Sequence, residues 1–275
     1  MHFHDSDRTP SRSRRGSAPP AVLRRALAAV ALLAAAVVVA PSAVAAAPTV
    51  DETQDPASPA AIVNPARPLD PVDYVPEELE TVSSSGDQLV PEAAAATREL
   101  VDAAAAAGHA LAVESGYRSY DRQHQLFDSY AARYGEAYAS RISAEPGTSE
   151  HQLGLAVDLG LASGLCSLQT CFGDTPAGQW IAEHAGEFGF IVRYPEAAEE
   201  QTGYSYEPWH LRYLGDATVA DFTASKAGTY EEYVAALEAA ADVVSEPLTG
   251  QSPLSPLRID VTDGLFRLPS WAGAE

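Results

Sequence analysis

Two short segments of this 275-residue chain carry imidazole and carboxylate side chains at spacings suited to a metal site. The first, residues 149–158, reads SEHQLGLAVD, and the second reads EPWH and ends at His210. His151, Asp158 and His210 are ligands of the types that catalytic zinc takes, with a fourth position left open for water. Glu207 is placed to act as a base on that water, which zinc acidifies to a pKa of about 7. Together the segments predict a metallohydrolase with one Zn²⁺ per chain.

The spacing of His151 and Asp158 restricts the local structure. On a straight strand, side chains seven residues apart point to opposite faces of the sheet. They converge only if His151 lies in the loop that leads into the strand and Gly154 allows a bend. Taken alone, this segment favours an ordinary half-buried strand that ends in an aspartate.

The EPWH segment has its own alternative, a strand-edge aromatic between a solvated glutamate and a core histidine. In the metal interpretation, Pro208 stiffens the link and Trp209 forms an apolar wall that raises the proton affinity of Glu207. Each segment alone favours the ordinary alternative. Two complementary half-sites in one chain favour the metal site.

An arginine stands out because cations are scarce in this chain. Arg118 lies in the segment SGYRSYDRQ, at a glycine-containing junction between a predicted strand and a predicted helix. A guanidinium group can bind a carboxylate through two parallel hydrogen bonds, or stabilise the oxyanion that forms during attack on a carbonyl. The alternative is a surface arginine paired with one of the many acidic residues.

Residues 1–45 are typical of an export signal. Six arginines precede and border an apolar run from Ala26 to Ala40, and the Ala-Val-Ala sequence at 43–45 fits a cleavage site. An uncleaved membrane anchor is the alternative, although 15 mostly alanine residues are short for a bilayer span. We therefore expect a secreted, cell-wall-associated protein with no stable membrane insertion after cleavage.

The charge of the chain after residue 45 limits the classes of partner that it can bind. Residues 1–45 hold six of the 17 Lys and Arg and two of the 38 Asp and Glu, which leaves 11 against 36 and a formal charge of −25. So acidic a protein is not suited to binding nucleic acid or an anionic membrane. Nothing in the sequence suggests more than a monomer.

The two cysteines, Cys166 and Cys171, have four residues between them. In an exported chain, an even and close pair predicts a disulfide that pins a loop. A metal pair is the alternative, but sulfur sites with four ligands need partners that this sequence lacks.

Helices and short strands alternate irregularly, which predicts an α+β fold. The expected helices run from Pro91 to near Gly108, from Tyr120 to Tyr134 and from Thr175 to about Phe188, with a capping box at Thr229 before another. The expected strands are 110–114, 153–159 and 190–194. Four domain regions follow: the signal, a flexible linker over 46–66, a zinc carboxypeptidase domain over 67–240 and a tail of unknown role over 241–275.

The motifs occur together, and in this order, in one known family. SGYRSY with Gln123, SEHxxGxAxD, and EPWHLRY resemble the VanY-type D-alanyl-D-alanine carboxypeptidases, over roughly residues 62–237. The resemblance implies a small, mostly antiparallel sheet packed with helices, the fold shared with the Hedgehog signalling domain. It implies zinc ligands at His151, Asp158 and His210 and the base at Glu207. It also implies contact of Arg118 with the substrate carboxylate or the tetrahedral intermediate, and pocket positions at Gln123 and Ser149. As the apolar wall beside Glu207, Trp209 is expected to contact the substrate too.

The reaction implied by the resemblance is hydrolysis of the terminal D-Ala bond of peptidoglycan stem peptides. An L,D-carboxypeptidase that trims tetrapeptide stems shares the same motifs and is the nearest alternative. A wall-binding module without turnover is a third interpretation, but binding alone would not need the base Glu207.

Overall fold

The computed structural model describes residues 47–245, in which short strands alternate with helices. The predicted export signal and the tail beyond Ser245 lie outside the described residues. The helices are α1 (Val50–Gln54), α2 (Pro91–Ala106), α3 (Tyr120–Tyr134), α4 (Glu136–Ile142), α5 (Pro176–His184), α6 (Glu199–Thr202), α7 (Gly215–Ser225) and α8 (Tyr230–Ser245). The strands are β1 (Glu80–Thr81), β2 (Gln88–Leu89), β3 (Leu111–Ser115), β4 (Ala156–Leu161), β5 (Phe190–Tyr194) and β6 (Glu207–Tyr213). Single 3₁₀ turns cover Glu150–Leu153, Thr170–Phe172 and Ala185–Phe188.

The helix ends follow the capping signals of the sequence. The Ser119 hydroxyl accepts a hydrogen bond from the Arg122 backbone N–H at the start of α3, and Gly135 ends that helix with a positive φ of 87°. Pro91 occupies the first turn of α2, where its missing N–H costs nothing. The predicted helices over these segments are confirmed. The helix predicted to reach Phe188 ends at His184, and a 3₁₀ turn completes the segment.

The main sheet has four strands in the order β3-β4-β6-β5, and every neighbouring pair is antiparallel. This confirms the expected α+β fold with a small antiparallel sheet. Asp158 on β4 is the register partner of His210 on β6 and of Ser115 on β3. The middle of the sheet thus aligns three polar positions on adjacent strands.

The two faces of this sheet meet different surroundings. One face packs against α2 and α5 in the main hydrophobic core. Its fully buried side chains include Leu89, Leu100, Val157, Leu159, Ile181, Phe190 and Leu211. A second apolar cluster joins β5 to α7 and α8 through Ile191, Val219, Tyr230, Tyr233 and Val234. Side chains alternate between the two faces along a strand, so the residues adjacent to these core positions point to the opposite, polar face of the sheet.

The described part of the predicted linker, residues 47–66, is folded onto the domain. Ile62 donates a backbone hydrogen bond to Thr53, and residues 60–63 are at most 6% exposed. The Tyr230 hydroxyl of α8 donates to the Ala60 carbonyl at 2.6 Å. The prediction of a flexible spacer is therefore wrong here, because the alanine- and proline-rich chain satisfies its backbone groups from buried side chains. We call residues 49–67 the N-terminal arm.

The other end of the domain also differs from the expected boundary. Helix α8 continues to Ser245, so a boundary at residue 240 falls within a helix. The predicted disulfide between Cys166 and Cys171 is confirmed, with Cα atoms 5.6 Å apart in the loop between β4 and α5. Within residues 47–245, every helix is too short or too polar to cross a bilayer.

Candidate active site

Strands β4 and β6 bring two of the predicted metal ligands together. Asp158 and His210 are directly opposite each other in the register, and facing side chains on an antiparallel pair lie about 5 Å apart. The His210 Nδ1 atom lies 3.1 Å from Asp158 Oδ1. Val157 and Leu211, the neighbours of these two residues, are fully buried in the core on the opposite face. Burial of that apolar pair therefore fixes the direction of the polar pair.

His151 reaches the same place from the turn that precedes β4. The Glu150–Leu153 3₁₀ turn ends at Gly154, whose left-handed φ of 68° bends the chain into the strand. The His151 Nε2 atom lies 3.3 Å from Asp158 Oδ2, and its Nδ1 atom lies 2.7 Å from the Gly116 carbonyl. Nδ1 therefore donates to that carbonyl, which leaves Nε2 as the free ligand atom. The predicted bend at Gly154 and convergence of these two residues are confirmed.

Gly116 is required at its position because the chain passes close to β2. A Cβ atom there would lie 2.5 Å from the Gln88 carbonyl oxygen. The same glycine carbonyl is the acceptor for His151. A side chain at 116 would thus displace the group that orients the ligand.

Ligand atoms of His151, Asp158 and His210 all lie within 4.8 Å of one another, and all three residues are buried. Asp158 Oδ1 is buried and accepts no hydrogen bond among the described residues, although His210 Nδ1 lies near it. Two imidazole nitrogens and a carboxylate form a donor set that zinc accepts in catalytic sites. The residues present therefore fit a zinc ion.

The electrostatics of the cluster also favour a cation. Burial alone would raise the pKa of Asp158, but its contacts with His151 and His210 outweigh it and hold that pKa well below its usual value. Burial alone would lower the pKa of His210, yet its contacts with Asp158 and Glu150 raise it to about 9. The pKa of His151 is lowered, chiefly by burial. Asp158 thus stays ionised, and burial favours the neutral form of His151 that a metal ligand requires.

Glu207 lies beside the cluster because β6 bulges. Between the Val192–Leu211 and Tyr194–Glu207 register pairs, β5 advances two residues and β6 four. This irregularity lets residues with an odd spacing converge, and Glu207 Oε2 lies 3.9 Å from His210 Nδ1. Burial is the main cause that raises the pKa of Glu207 to about 7, although the positive charge of His210 opposes it. A carboxyl group with such a pKa can accept and return a proton near neutral pH.

Arg118 is held next to the cluster by three contacts. Its backbone N–H donates to the His151 carbonyl at 3.0 Å. Its guanidinium donates to Gln123 Oε1 at 2.9 Å and to Ser115 Oγ at 3.0 Å. Burial lowers the pKa of Arg118, and the negative charges of Asp158 and other groups oppose that shift. The guanidinium remains ionised, since an arginine does not lose its proton in proteins.

One predicted pocket residue is placed differently from the expectation. Gln123 is fully buried and donates to Ser143 Oγ and the Ala144 carbonyl, so it orients Arg118 from behind and does not line the pocket. Trp209 is half-buried and packs against the main hydrophobic core, and its role as a wall beside Glu207 stays a prediction. Ser149, 4% exposed, directly precedes the 3₁₀ turn that carries His151.

Glu150 belongs to the site but was missed by sequence reasoning. It is 1% exposed, and its Oε2 atom lies 3.3 Å from His210 Nε2. Its Oε1 atom accepts hydrogen bonds from Arg193 and Arg212. The available signal was the pair of arginines within the apolar strand segments FIVRY and EPWHLRY, because a buried cation requires a buried anion.

The fold and this cluster define a mixed α+β protein with a His-Asp-His metal-type site, and comparisons with known proteins identify its family. Residues 86–216 match the model of the family VanY, D-alanyl-D-alanine carboxypeptidase. The chain is 42% identical to YodJ of Bacillus subtilis (strain 168) over 174 residues, which are 60% of this chain and 63% of YodJ. It thus spans less than two thirds of the length of the curated relatives it matches.

Solved structures agree with this match. The LdcB LD-carboxypeptidase is 40% identical, with a TM-score of 0.60 over 66% of this chain and 87% of that one. A variant of the D,D-pentapeptidase VanY, solved in complex with Zn(II), is 34% identical, with a TM-score of 0.54 over 64% of this chain and 97% of that one. The chain belongs to the VanY family of D-alanyl-D-alanine carboxypeptidases.

Proposed function

We propose that this protein is a zinc-dependent carboxypeptidase that removes the terminal D-alanine from peptidoglycan stem peptides. The observation that carries the proposal is the convergence of His151, Asp158 and His210 within 4.8 Å, beside Glu207 and the half-buried Arg118. Membership of the VanY family supports the same conclusion. The family neighbour solved with Zn(II) supports zinc as the metal.

A zinc ion bound by the three ligands supplies a Lewis acid for the scissile carbonyl and lowers the pKa of water. Glu207 takes a proton from the attacking water and later returns it to the leaving amine, so one residue serves as base and then as acid. Its half-buried position supports this role because the raised pKa keeps both protonation states accessible near neutral pH.

Arg118 explains why a single residue would be removed. Its guanidinium binds the carboxylate of the terminal D-alanine, or the negative charge that develops on attack. Gln123 and Ser115 hold the guanidinium in one orientation, which reduces the entropy lost on substrate binding. A peptide without a free carboxylate at this position would leave the half-buried guanidinium without an anionic partner from the substrate.

Two stem peptides are candidate substrates. The family description points to peptides that end in D-Ala-D-Ala, and the similarity to a D,D-pentapeptidase favours pentapeptides, so we propose these as the substrate. The structural similarity to an LD-carboxypeptidase favours tetrapeptide stems as the second candidate. Both reactions release D-alanine and use the same metal cluster and arginine.

The cellular setting follows from the substrate and from the N-terminal sequence. We propose that the protein acts outside the cytoplasm, after export by residues 1–45, with the N-terminal arm as part of its catalytic domain.

The test is to incubate the purified protein with pentapeptide and tetrapeptide stems and to measure free D-alanine by mass spectrometry, with and without a chelator. We expect release from the pentapeptide that the chelator abolishes and zinc restores. Release from the tetrapeptide alone would instead establish the second candidate. No release from either substrate by the zinc-loaded protein would refute the enzymatic proposal.

A further inference from the structure

We propose that Glu150 is a positioning residue that sets the orientation of His210 as a metal ligand, and that Arg193 and Arg212 hold Glu150 in place. The inference rests on the proposed function only in requiring that the His151–Asp158–His210 cluster binds a metal ion. It assigns a role to a buried carboxylate that none of the catalytic steps above uses.

The two ring nitrogens of His210 face different groups. Nδ1 faces the cluster, 3.1 Å from Asp158 Oδ1 and 3.9 Å from Glu207 Oε2. Nε2 faces away from it, 3.3 Å from Glu150 Oε2. A carboxylate at Nε2 keeps the proton of the neutral ring on that nitrogen, so the lone pair of Nδ1 is directed at the metal position.

Glu150 can act in this way because its carboxylate cannot rotate. Oε1 accepts hydrogen bonds from Arg193 Nε at 2.8 Å and from Arg212 Nη1 at 2.9 Å, and the side chains of all three residues are fully buried. With Oε1 occupied by two arginines, Oε2 is fixed in the direction of His210. An uncompensated buried carboxylate would be strongly unfavourable, so the two cations are needed for it to remain ionised there.

Both arginines are themselves anchored at their far ends. Arg193 forms two hydrogen bonds with Glu231 of α8, at 2.6 and 2.8 Å. Arg212 Nη2 donates to the carbonyls of Pro59 and Ala61 in the N-terminal arm, at 2.9 and 2.6 Å. The N-terminal arm and α8, which lie outside the segment 86–216 matched by the family model, therefore support a metal ligand through one shared carboxylate.

The second contact of Arg193 separates positioning from general stability. Glu231 accepts two hydrogen bonds from Arg193, so its replacement removes an ionic contact of the same arginine and leaves Glu150, Arg193 and Arg212 in place. Only one of the two glutamates, Glu150, touches His210 among the described residues. Replacing Glu150 and replacing Glu231 thus each remove an anion that pairs with Arg193, with different consequences for the ligand.

The experiment compares the variants Glu150→Gln and Glu231→Gln, each of which replaces one carboxylate by an amide of the same size, with the wild-type protein. Zinc affinity is measured by competition with a chromogenic chelator, and the ligand geometry by the visible absorption spectrum of the Co²⁺-loaded protein. We expect the Glu150 variant to bind zinc about 10- to 100-fold more weakly, the usual effect of losing a partner of a ligand, with a changed Co²⁺ spectrum. The Glu231 variant should bind zinc within about threefold of wild type and keep the spectrum.

Equal zinc affinity and an unchanged Co²⁺ spectrum in the Glu150 variant would overturn the inference. An equal loss in both variants would also overturn it, because the effect would then be one of stability. If Glu150→Gln does not fold, Glu150→Asp, which keeps the charge and withdraws the carboxylate from His210, is judged by the same two measurements and thresholds. A wild-type protein that binds zinc but releases no D-alanine would refute the proposed function and leave this inference standing.

Discussion

Asp158 and His210 are register partners on β4 and β6, and this one pairing builds two thirds of the ligand set of the metal cluster. A shift of the register by one residue would turn one of them to the opposite face of the sheet. The fully buried Val157 and Leu211 prevent that shift, because it would expose them to the polar face. The apolar core on one side of the sheet thereby specifies the site on the other.

Replacement of Glu207 by glutamine should remove catalysis and leave the metal in place. The amide cannot take a proton from water, and a general base contributes about 10²- to 10⁴-fold to a rate. We therefore expect kcat to fall by that factor, with zinc affinity within about threefold of wild type. Stopped assays of D-alanine release and chelator competition measure the two quantities. Loss of zinc from the variant would mean that Glu207 is a ligand and that its role is wrongly assigned.

Replacement of Arg118 by lysine should weaken recognition of the terminal carboxylate. Lysine keeps a charge but loses the two-pronged hydrogen bonding of the guanidinium. Hydrogen bonds to charged groups contribute about 1.5–3 kcal/mol, so kcat/KM should fall about 10- to 100-fold. The matched control is a peptide with a C-terminal amide, which wild type should cleave poorly and the variant no worse. Undiminished preference of the variant for the free carboxylate would exclude this role.

The rate should fall on the acidic side of neutrality. Burial raises the pKa of Glu207 to about 7, and the ionised form is the one that acts as base. As the pH drops through this pKa, the base is lost and kcat/KM decreases about tenfold per pH unit. A bound zinc ion lowers the pKa of a neighbouring carboxyl group, so the midpoint should lie at or below pH 7. A rate that increases on acidification below pH 6, in zinc-loaded protein, would contradict the assignment.

The N-terminal arm should contribute to stability. Tyr230→Phe removes the 2.6 Å hydrogen bond to the Ala60 carbonyl, and the buried, unpaired oxygen should cost about 1–2 kcal/mol of unfolding free energy. Tyr138→Phe, at a residue that is 51% exposed, is the matched control and should change stability by less than about 0.5 kcal/mol. Urea unfolding followed by circular dichroism measures both. Equal stability of the two variants would mean that the N-terminal arm is not bound to the rest of the domain in solution.

The sequence predicted those parts of the fold whose determinants are local. Ser119 and Gly135 mark the ends of α3 because capping and positive φ depend on single residues. The bend at Gly154 was predictable for the same reason. His151 and Asp158 are seven residues apart, so they can converge only if a turn precedes the strand, and the structure contains this turn at Glu150–Leu153.

The features that were missed depend on distant contacts. The N-terminal arm reads as a spacer because its order comes from Arg212 and Tyr230, which lie about 150 or more residues away in the chain. The contact of Trp209 with the main core likewise depends on the pairing of β6 with its neighbours, which a four-residue motif does not specify. Glu150 was not predicted because the chemistry of its neighbour His151 is enough to explain the motif.

The most direct test of the central claim is a zinc titration of the metal-free protein, with D-alanine release from the pentapeptide measured at each addition. We predict that activity is absent without metal, rises linearly with added zinc and reaches a plateau at one equivalent per chain. Asp158→Asn should shift the titration to higher zinc concentrations, because it removes the carboxylate from the cluster. Full activity of the metal-free protein, or a titration that Asp158→Asn leaves unchanged, would contradict the claim that this cluster is the catalytic centre.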